Sequence, residues 1–136
     1  MIKPIIHDQN ILTKVSTPAQ LSDVKIAQDL LDTLQAHQKS CVGLAANMVG
    51  IHKRIIAITI GPARVAMLNP EIINHQQPYQ AQEGCLSLNG QRTTTRYQTI
   101  TVQFTDIQGH HQQITLNGFP AQIAQHEIDH CNGILI

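Results

Sequence analysis

The chain has 136 residues, a length that fits one compact domain and leaves little room for a second. Hydrophobic residues make up 42% of it and charged residues only 13%, a composition that favours a folded core over disorder. Nine basic residues balance nine acidic residues without any Lys or Arg cluster, which argues against direct nucleic-acid binding and against an anionic membrane surface. We therefore expect residues 1–136 to form a single domain.

The sequence also bears on the compartment. No apolar run is long enough to span a membrane, and Pro4 and Asp8 interrupt the N-terminal segment before a signal-peptide core can form. The chain has three cysteines, Cys41, Cys85 and Cys131, and no two of them form a Cys-x-x-Cys motif. Their odd number fits a reducing compartment better than a disulfide framework. We expect a cytoplasmic protein with no membrane partner and with at least one thiol available for chemistry.

The N-terminal half is predicted to form an arm, a helix and the first strands. The segment up to Pro18 is predicted to be an extended arm. Between Ser22 and about Gln38, apolar residues recur at every third or fourth position, which predicts an amphipathic helix. The next segment, CVGLAANMVG at 41–50, is small and apolar and is predicted to be a tight core segment or a binding wall. Strands are predicted at 54–60 and 65–69, with a continuation at 71–74 beyond Pro70.

The C-terminal half is predicted to contain a β-hairpin and a final helix. Residues 99–105 alternate between apolar and polar side chains, and residues 112–116 pair with them across a turn at 106–109. The final helix is predicted from about Pro120 to Asn132. It ends before Gly133, which suits a left-handed helix cap.

The final helix carries a His-Glu-x-x-His motif at His126-Glu127-Ile128-Asp129-His130. Residues four apart lie on one face of a helix, so both imidazoles can reach one metal ion. Glu127 then leans into the same cleft, where a carboxylate can take a proton from metal-activated water. The structural alternative is two histidines satisfied on a helix surface, with Glu127 as a solvated charge.

A third metal ligand is expected upstream of this motif. A metzincin would have a further histidine where Ile136 stands, and the chain ends six residues after His130, before any helix that could carry a thermolysin-like glutamate. Cys85 is the best candidate, because a thiolate binds zinc or ferrous iron well and Gly84 leaves its approach unobstructed. Taken alone, such a cysteine is more often a buried apolar thiol.

His110 and His111 are the rival ligands, although their place beside a hairpin turn predicts that they are exposed. Two histidines and one cysteine would leave a fourth coordination position for water. An open position of that kind is typical of a catalytic metal site rather than a structural one.

Three motifs in this order resemble those of the peptide deformylase family: VGLAANM at 42–48, EGCLS at 83–87 and QHEIDH at 125–130. The similarity runs through nearly the whole chain. It implies an α+β fold, in which antiparallel or mixed sheets pack around the helix with the His-Glu-x-x-His motif and one further helix lies near the N-terminus. It also implies a metal ion bound by Cys85, His126 and His130, usually ferrous iron, with zinc, nickel or cobalt as alternatives.

The activity that the resemblance implies is removal of the N-formyl group from the N-terminal formylmethionine of nascent peptides, with transient ribosome association. Glu127 would be the general base and proton shuttle, and the backbone N–H of Leu86 would donate to the developing oxyanion. Glu83 would orient a ligand histidine rather than lie on the surface. The residues placed along the substrate groove are Val42, Gly43, Met48, Gly84 and Arg92.

Two positions depart from the family pattern. Met48 stands where the family has a glutamine, and its thioether has no N–H to donate, so the second oxyanion donor is missing. Cys41 replaces the first glycine of the first motif and puts a second thiol near the metal. Family members commonly continue past the region that matches HCNGILI, and in some of them ribosome association depends on that extension, so we expect this association to be altered here.

Three functional hypotheses follow. The leading one is a metal-dependent deformylase whose activity is reduced by Met48. The second is a non-catalytic paralogue that keeps the metal and the peptide groove as a binding or regulatory module. The third is a hydrolase of another small acyl-amide, because a changed groove can alter specificity without altering the chemistry.

Overall fold

In residues 1–85 and 87–136, which this computed structural model describes, five strands form one antiparallel sheet. The sheet order follows the sequence: β1 Gly43–Ala45, β2 Ile55–Ile60, β3 Ala63–Cys85, β4 Leu88–Thr105 and β5 His111–Asn117. The α-helices are α1 Gln9–Leu12, α2 Val24–Ala36 and α3 Phe119–Cys131. An antiparallel sheet with segregated helices is an α+β fold, so the predicted fold class is confirmed.

The long hairpin of β3 and β4 extends well beyond the predicted strands. Pairing runs from Leu68 opposite Thr105 to Cys85 opposite Leu88. A register shift between Leu68 and Glu71 falls where Asn69 adopts a left-handed conformation (φ 53°) before Pro70, which has no N–H for the ladder. The strand continues past this irregularity, whereas the prediction stopped at residue 74. The extra length was not predicted because its residues are mostly polar.

α2 follows the predicted amphipathic pattern. A 3₁₀ turn at Leu21–Asp23 precedes it, and the backbone N–H of Gln20 donates to the Asp23 carboxylate at 2.8 Å. The apolar stripe of α2 is fully buried at Ala27, Leu30 and Leu34, and the helix packs against β2 and β3. Packing of this stripe, rather than intrinsic propensity, therefore holds the helix on the sheet.

The prediction of an extended N-terminal arm needs correction, whereas the segment 41–50 is buried from Gly43 to Met48, as predicted for a core segment, but also forms a strand. The segment before Pro18 is not wholly extended, because Asp8 accepts a hydrogen bond from the N–H of Asn10 and caps the short helix α1. The segment 41–50 forms edge strand β1 and a 3₁₀ turn at Ala46–Val49, and this strand was not predicted. Gly43 of β1 pairs with Ile58 of β2, so the segment extends the sheet.

α3 was predicted to within a residue at each end. Gly133 has a φ of 74°, and its N–H donates to the carbonyl of His130 at 3.0 Å, which closes the helix as expected. Ile123, Ala124 and Ile128 are buried, and α3 packs against β1, β2 and β4. No helix in the described residues is both long enough and apolar enough to cross a membrane.

Candidate active site

Three possible metal ligands converge where α3 meets the end of the β3–β4 hairpin. Nε2 of His126 lies 3.1 Å from Nε2 of His130, and Sγ of Cys85 lies 3.5 Å from the same His130 atom. The three donor atoms all lie within 4.8 Å of one another. His130 is fully buried, His126 is 7% exposed and Cys85 is half-buried. The helix spacing and the strand end thus bring together the set that the sequence favoured.

Glu83 orients the first of these histidines. Its Oε1 lies 2.7 Å from Nδ1 of His126, and because a carboxylate only accepts, Nδ1 carries the proton and donates it. Once Nε2 of His126 loses its proton, as metal binding requires, its lone pair faces Cys85 and His130. Glu83 is 6% exposed and is therefore not a surface charge. It orients the imidazole ring from inside the protein, which is the role that the sequence favoured.

Arg96 and Gln122 are the other hydrogen-bond donors to Glu83, and neither was predicted from the sequence. Arg96 donates to both oxygens of Glu83, at 2.7 and 2.9 Å, and also to Asp129 at 2.6 Å. Gln122 donates to Oε2 of Glu83 at 2.9 Å. One signal was available for Gln122, because it lies four positions before His126 on the same face of α3. Arg96 had none, since its stretch of β4 was not predicted as a strand.

The electrostatics of the cluster favour a cation. Burial alone would raise the pKa of Glu83, but hydrogen bonds from His126, Arg96 and Gln122 outweigh it and lower that pKa to about 2. Burial likewise would lower the pKa of His126, but the Cys85 and Glu83 side chains outweigh it and raise that pKa to about 10. Burial, followed by the charge of His126, lowers the pKa of His130 to about 3. Positive charge is therefore stabilised beside Glu83, where either a proton on Nε2 of His126 or a metal ion in place of that proton supplies it, and His130 keeps the neutral form that binds metal.

The donor set fits one divalent metal ion. Two imidazole nitrogens face each other at 3.1 Å beside a sulfur atom, so their lone pairs share one small volume that a cation can occupy. Imidazole and thiolate together suit zinc or ferrous iron. His110, with a side chain that is 71% exposed, and exposed His111 lie at the β4–β5 turn and are not among the converging ligands.

A cavity of about 360 Å³ opens directly onto the cluster. Cys85 and His126 line its metal end, and Phe119 and Ile123 form an apolar wall from α3. Four of the five residues placed along the substrate groove line it as well: Val42, Gly43, Met48 and Gly84. The thiol of Cys41 also faces the cavity, and it donates to the carbonyl of Gly43 at 3.0 Å.

Glu127 lines the same cavity, although it is only 4% exposed. Burial raises its pKa to about 7, and its Oε1 has no hydrogen-bond partner among the described residues. A Cβ on Gly43 would lie 2.9 Å from Oε2 of Glu127 and 2.7 Å from Cγ2 of Ile123. The glycine therefore makes room for the carboxylate, which can exchange protons near neutral pH.

The sequence also predicted roles in the site for Leu86, Met48 and Arg92. Leu86, the predicted oxyanion donor, is outside the described residues. Met48 is buried, and its sulfur accepts the backbone N–H of Ala45 at 3.4 Å. Arg92 lies opposite Glu83 in the β3–β4 register and does not line the cavity as the described residues form it, so its role in substrate binding stays a prediction.

Comparisons with known proteins agree with this geometry. A sequence profile of the polypeptide deformylase family matches residues 2–136. A peptide deformylase of Clostridium beijerinckii is 48% identical over 136 residues, which is 100% of both chains. Peptide deformylase 2 of Bacillus cereus is 34% identical over a match that covers 97% of this chain and 82% of that protein.

Solved structures give the same result. A class I type b peptide deformylase from Acinetobacter baumannii with Met-Ala-Ser bound has a TM-score of 0.88 at 30% identity, and the match covers 99% of this chain and 97% of that one. A peptide deformylase from Thermotoga maritima also has a TM-score of 0.88 at 30% identity, with 99% and 95% coverage. The profile match, these relatives and the shared fold show that the chain belongs to the polypeptide deformylase family.

Proposed function

We propose that this protein removes the N-formyl group from peptides that begin with formylmethionine, with one divalent metal ion held by Cys85, His126 and His130. The observation that carries the proposal is the convergence of these three donor atoms within 4.8 Å, beside a buried Glu127. Membership of the deformylase family supports the reaction. The products are formate and a peptide with a free amine.

Ferrous iron is the metal that we propose, with zinc, nickel and cobalt as ions that the same ligands accept. A divalent ion held there supplies the Lewis acidity that makes water nucleophilic near neutral pH. The chain supplies the orientation, because Glu83 holds the Nδ1 proton of His126 and leaves its Nε2 free to bind.

Glu127 moves the protons of the reaction. Its carboxylate takes a proton from the water that attacks the formyl carbon, and it returns that proton to the leaving nitrogen as the C–N bond breaks. A buried carboxyl with a pKa of about 7 suits both steps, because its two protonation states are close in free energy at neutral pH.

The groove around the cavity would bind the peptide. Strand β1 pairs with β2 along one side, and we propose that the backbone of Val42 and Gly43 pairs with an extended substrate along the other. Gly84 lies beside the ligand Cys85, and we propose that the backbone N–H of Leu86 donates to the developing oxyanion. Arg92 remains the proposed contact at the rim.

The setting of the reaction is also part of the proposal. We propose one domain over residues 1–136 that works in the cytoplasm on nascent chains and meets the ribosome only transiently. The balance of nine basic and nine acidic residues supports this, because a small formylated peptide needs no basic surface for its capture.

A second candidate function is a metal-binding and peptide-binding module without catalysis. Met48 favours it, because a buried thioether that accepts the N–H of Ala45 cannot donate to an oxyanion. Loss of one oxyanion donor typically costs about 10²- to 10³-fold in rate and leaves metal binding intact.

One experiment separates the two candidates. The protein is purified anaerobically with Fe²⁺, its metal is quantified, and formate release from formyl-Met-Ala is measured for the wild type, Met48→Gln and Glu127→Ala. Activity in the wild type that is lost in Glu127→Ala, with metal retained in both, supports the deformylase. Stoichiometric metal without formate release from either the wild type or Met48→Gln would refute it and support the binding module.

A further inference from the structure

Gln122 lies where the cavity meets the hydrogen bonds of Glu83. It is one helical turn before His126 on α3, and it lines the cavity. Its Nε2 donates to Oε2 of Glu83 at 2.9 Å, and its Oε1 accepts from the hydroxyl of Tyr79 at 3.4 Å. One side chain thus touches both the cavity and the carboxylate that orients His126.

Each of the two carboxylate oxygens of Glu83 accepts two hydrogen bonds. Oε1 accepts from His126 at 2.7 Å and from Nη2 of Arg96 at 2.7 Å. Oε2 accepts from Nε of Arg96 at 2.9 Å and from Gln122 at 2.9 Å. Gln122 lines the cavity, whereas Arg96, the other donor to Oε2, does not, so without the Gln122 amide Oε2 would be open to solvent from the cavity.

Arg96 alone does not fix Glu83. Its Nη1 also donates to Asp129 at 2.6 Å, so the guanidinium is shared between two carboxylates. Without Gln122, the remaining donors to Glu83 would be this shared arginine and His126 itself, the ring that Glu83 has to orient. The Gln122 amide gives Oε2 a second anchor from α3, the helix that also carries His126. Hydrogen bonds to a charged acceptor are among the stronger ones in proteins.

We propose that Gln122 is a positioning residue for the metal centre: its amide fixes Oε2 of Glu83, and Glu83 in turn fixes the ring of His126. The inference rests on the proposed ligand set of Cys85, His126 and His130. It predicts that Gln122 governs how firmly the metal is held, although it is not itself a ligand.

Zinc release tests the inference without a catalytic assay. Gln122→Met keeps the length of the side chain but has no N–H, and we expect the zinc-loaded variant to lose Zn²⁺ to an excess of chelator about 10-fold faster than the wild type. Gln122→Glu is expected to lose it faster still, because it places a negative charge against Glu83. Tyr79→Phe, which removes only the weaker bond to Gln122, should give a smaller change in the same direction.

Gln125→Met is the matched control. Gln125 lies on the same helix and bonds to the backbone of Tyr97 and Ala121, and no bond to Glu83 is present among the described residues. Loss of these hydrogen bonds in Gln125→Met should lower the melting temperature and leave the rate of zinc release unchanged. The visible spectrum of the Co²⁺-loaded protein should shift in Gln122→Met and stay unchanged in Gln125→Met, because only the former alters the ligand geometry.

The outcomes separate this inference from the proposed function. If Cys85→Ser loses zinc while Gln122→Met and Tyr79→Phe release it at the wild-type rate, the inference is overturned and the ligand set stands. If Cys85→Ser holds zinc as firmly as the wild type, the proposed ligand set fails and the inference fails with it. Faster release from Gln122→Met together with a shifted Co²⁺ spectrum, with both unchanged in Gln125→Met, supports the positioning role.

Discussion

The carboxylate of Glu83 accepts a 2.7 Å hydrogen bond from Nδ1 of His126, and this contact joins the end of β3 to the middle of α3. The bond fixes both the tautomer and the direction of the imidazole. The buried Arg96, which donates to both oxygens of Glu83, keeps the carboxylate charged. A metal ligand on a helix is thus oriented by a carboxylate on a strand.

Glu83→Gln should weaken metal binding. A neutral amide accepts from His126 more weakly than a carboxylate and leaves buried Arg96 with one carboxylate partner, Asp129, instead of two, so we expect the metal dissociation constant to rise about 10- to 100-fold. Competition with a chelator of known affinity measures it. Glu71→Gln on the same strand is the control, because Glu71 is exposed and bonds only to Gln103 at 3.2 Å among the described residues. Equal metal affinity in the two variants would contradict the orienting role of Glu83.

Cys85→Ser should greatly reduce the metal content of the purified protein. A serine hydroxyl is a much poorer ligand than a thiolate for zinc or ferrous iron. Cys41→Ser serves as the comparison, since Cys41 faces the same cavity and its thiol donates to the Gly43 carbonyl, a bond that a hydroxyl can keep. We expect full metal content in Cys41→Ser by elemental analysis. An unchanged content in Cys85→Ser would refute the ligand assignment.

Met48→Gln should raise kcat for formyl-Met-Ala by roughly one to three orders of magnitude, because it supplies a second N–H donor to the oxyanion. Metal content should not change, since Met48 is not among the converging ligands. Formate release with saturating substrate measures the effect. A rate equal to that of the wild type, at equal metal content, would show that the missing donor does not limit the reaction.

The site residues that could be predicted from spacing alone are those that lie on one secondary-structure element. His126 and His130 lie four apart on a single helix, so helical periodicity alone places them together. Cys85 could be chosen only by chemistry and by resemblance to a family, because the contact between the β3 end and α3 depends on how the sheet and helix pack. The neighbours of Glu83 were missed for the same reason.

Strand residues were predicted where apolar and polar side chains alternate along the chain, and they were missed where this alternation is absent. Residues 99–105 alternate and were identified, whereas residues 88–98 are mostly polar and take their strand conformation from pairing with β3. Strand β1 was missed because a three-residue edge strand is too short to show a period. Tertiary pairing, rather than local preference, sets these elements.

Acid should remove a contribution that Asp29 makes to stability. Lys25 and then the Met1 ammonium, both hydrogen-bonded to Asp29, hold the pKa of its carboxyl below the ordinary value of 3.8. A carboxyl whose pKa is lower in the folded state stabilises the fold fully above about pH 4, and the contribution disappears as the pH falls through its folded pKa. Asp29→Asn should therefore melt below the wild type at neutral pH, with a gap that narrows in acid.

Thermal unfolding followed by circular dichroism tests this from about pH 7 to about pH 2. A chelator is present throughout, so that acid loss of the metal does not contribute to the change. A gap between the wild type and Asp29→Asn that stays constant over the whole range would contradict the prediction.

Gly43→Ala should damage both stability and catalysis. The added Cβ would lie 2.7 Å from Cγ2 of Ile123 and 2.9 Å from Oε2 of Glu127, distances that real Cβ atoms do not adopt, so the helix or the carboxylate has to move. Overpacking of this kind typically costs about 1–3 kcal/mol. A methyl group at residue 43 would push Glu127 away from β1, where we propose that the substrate pairs. Catalysis should suffer because the carboxylate then lies farther from the substrate. We therefore expect a lower melting temperature together with a fall in kcat.

Gly84→Ala is the matched control for stability. Among the described residues, its Cβ would meet the Gly90 carbonyl at 3.5 Å and Cγ of Gln91 at 3.9 Å and nothing else within 4 Å, and these are ordinary van der Waals contacts. Its melting temperature should therefore stay close to that of the wild type, while Gly43→Ala melts several degrees lower. Ile123 and Glu127 are each within reach of the new methyl group, and Ile123→Ala removes Cγ2, the atom of Ile123 that the new Cβ would contact. In the Ile123→Ala background, Gly43→Ala should therefore cost less stability than in the wild type, whereas little of kcat should be recovered if Glu127 is the displaced group. Recovery of both would place the clash on Ile123 alone and contradict the catalytic part of the prediction.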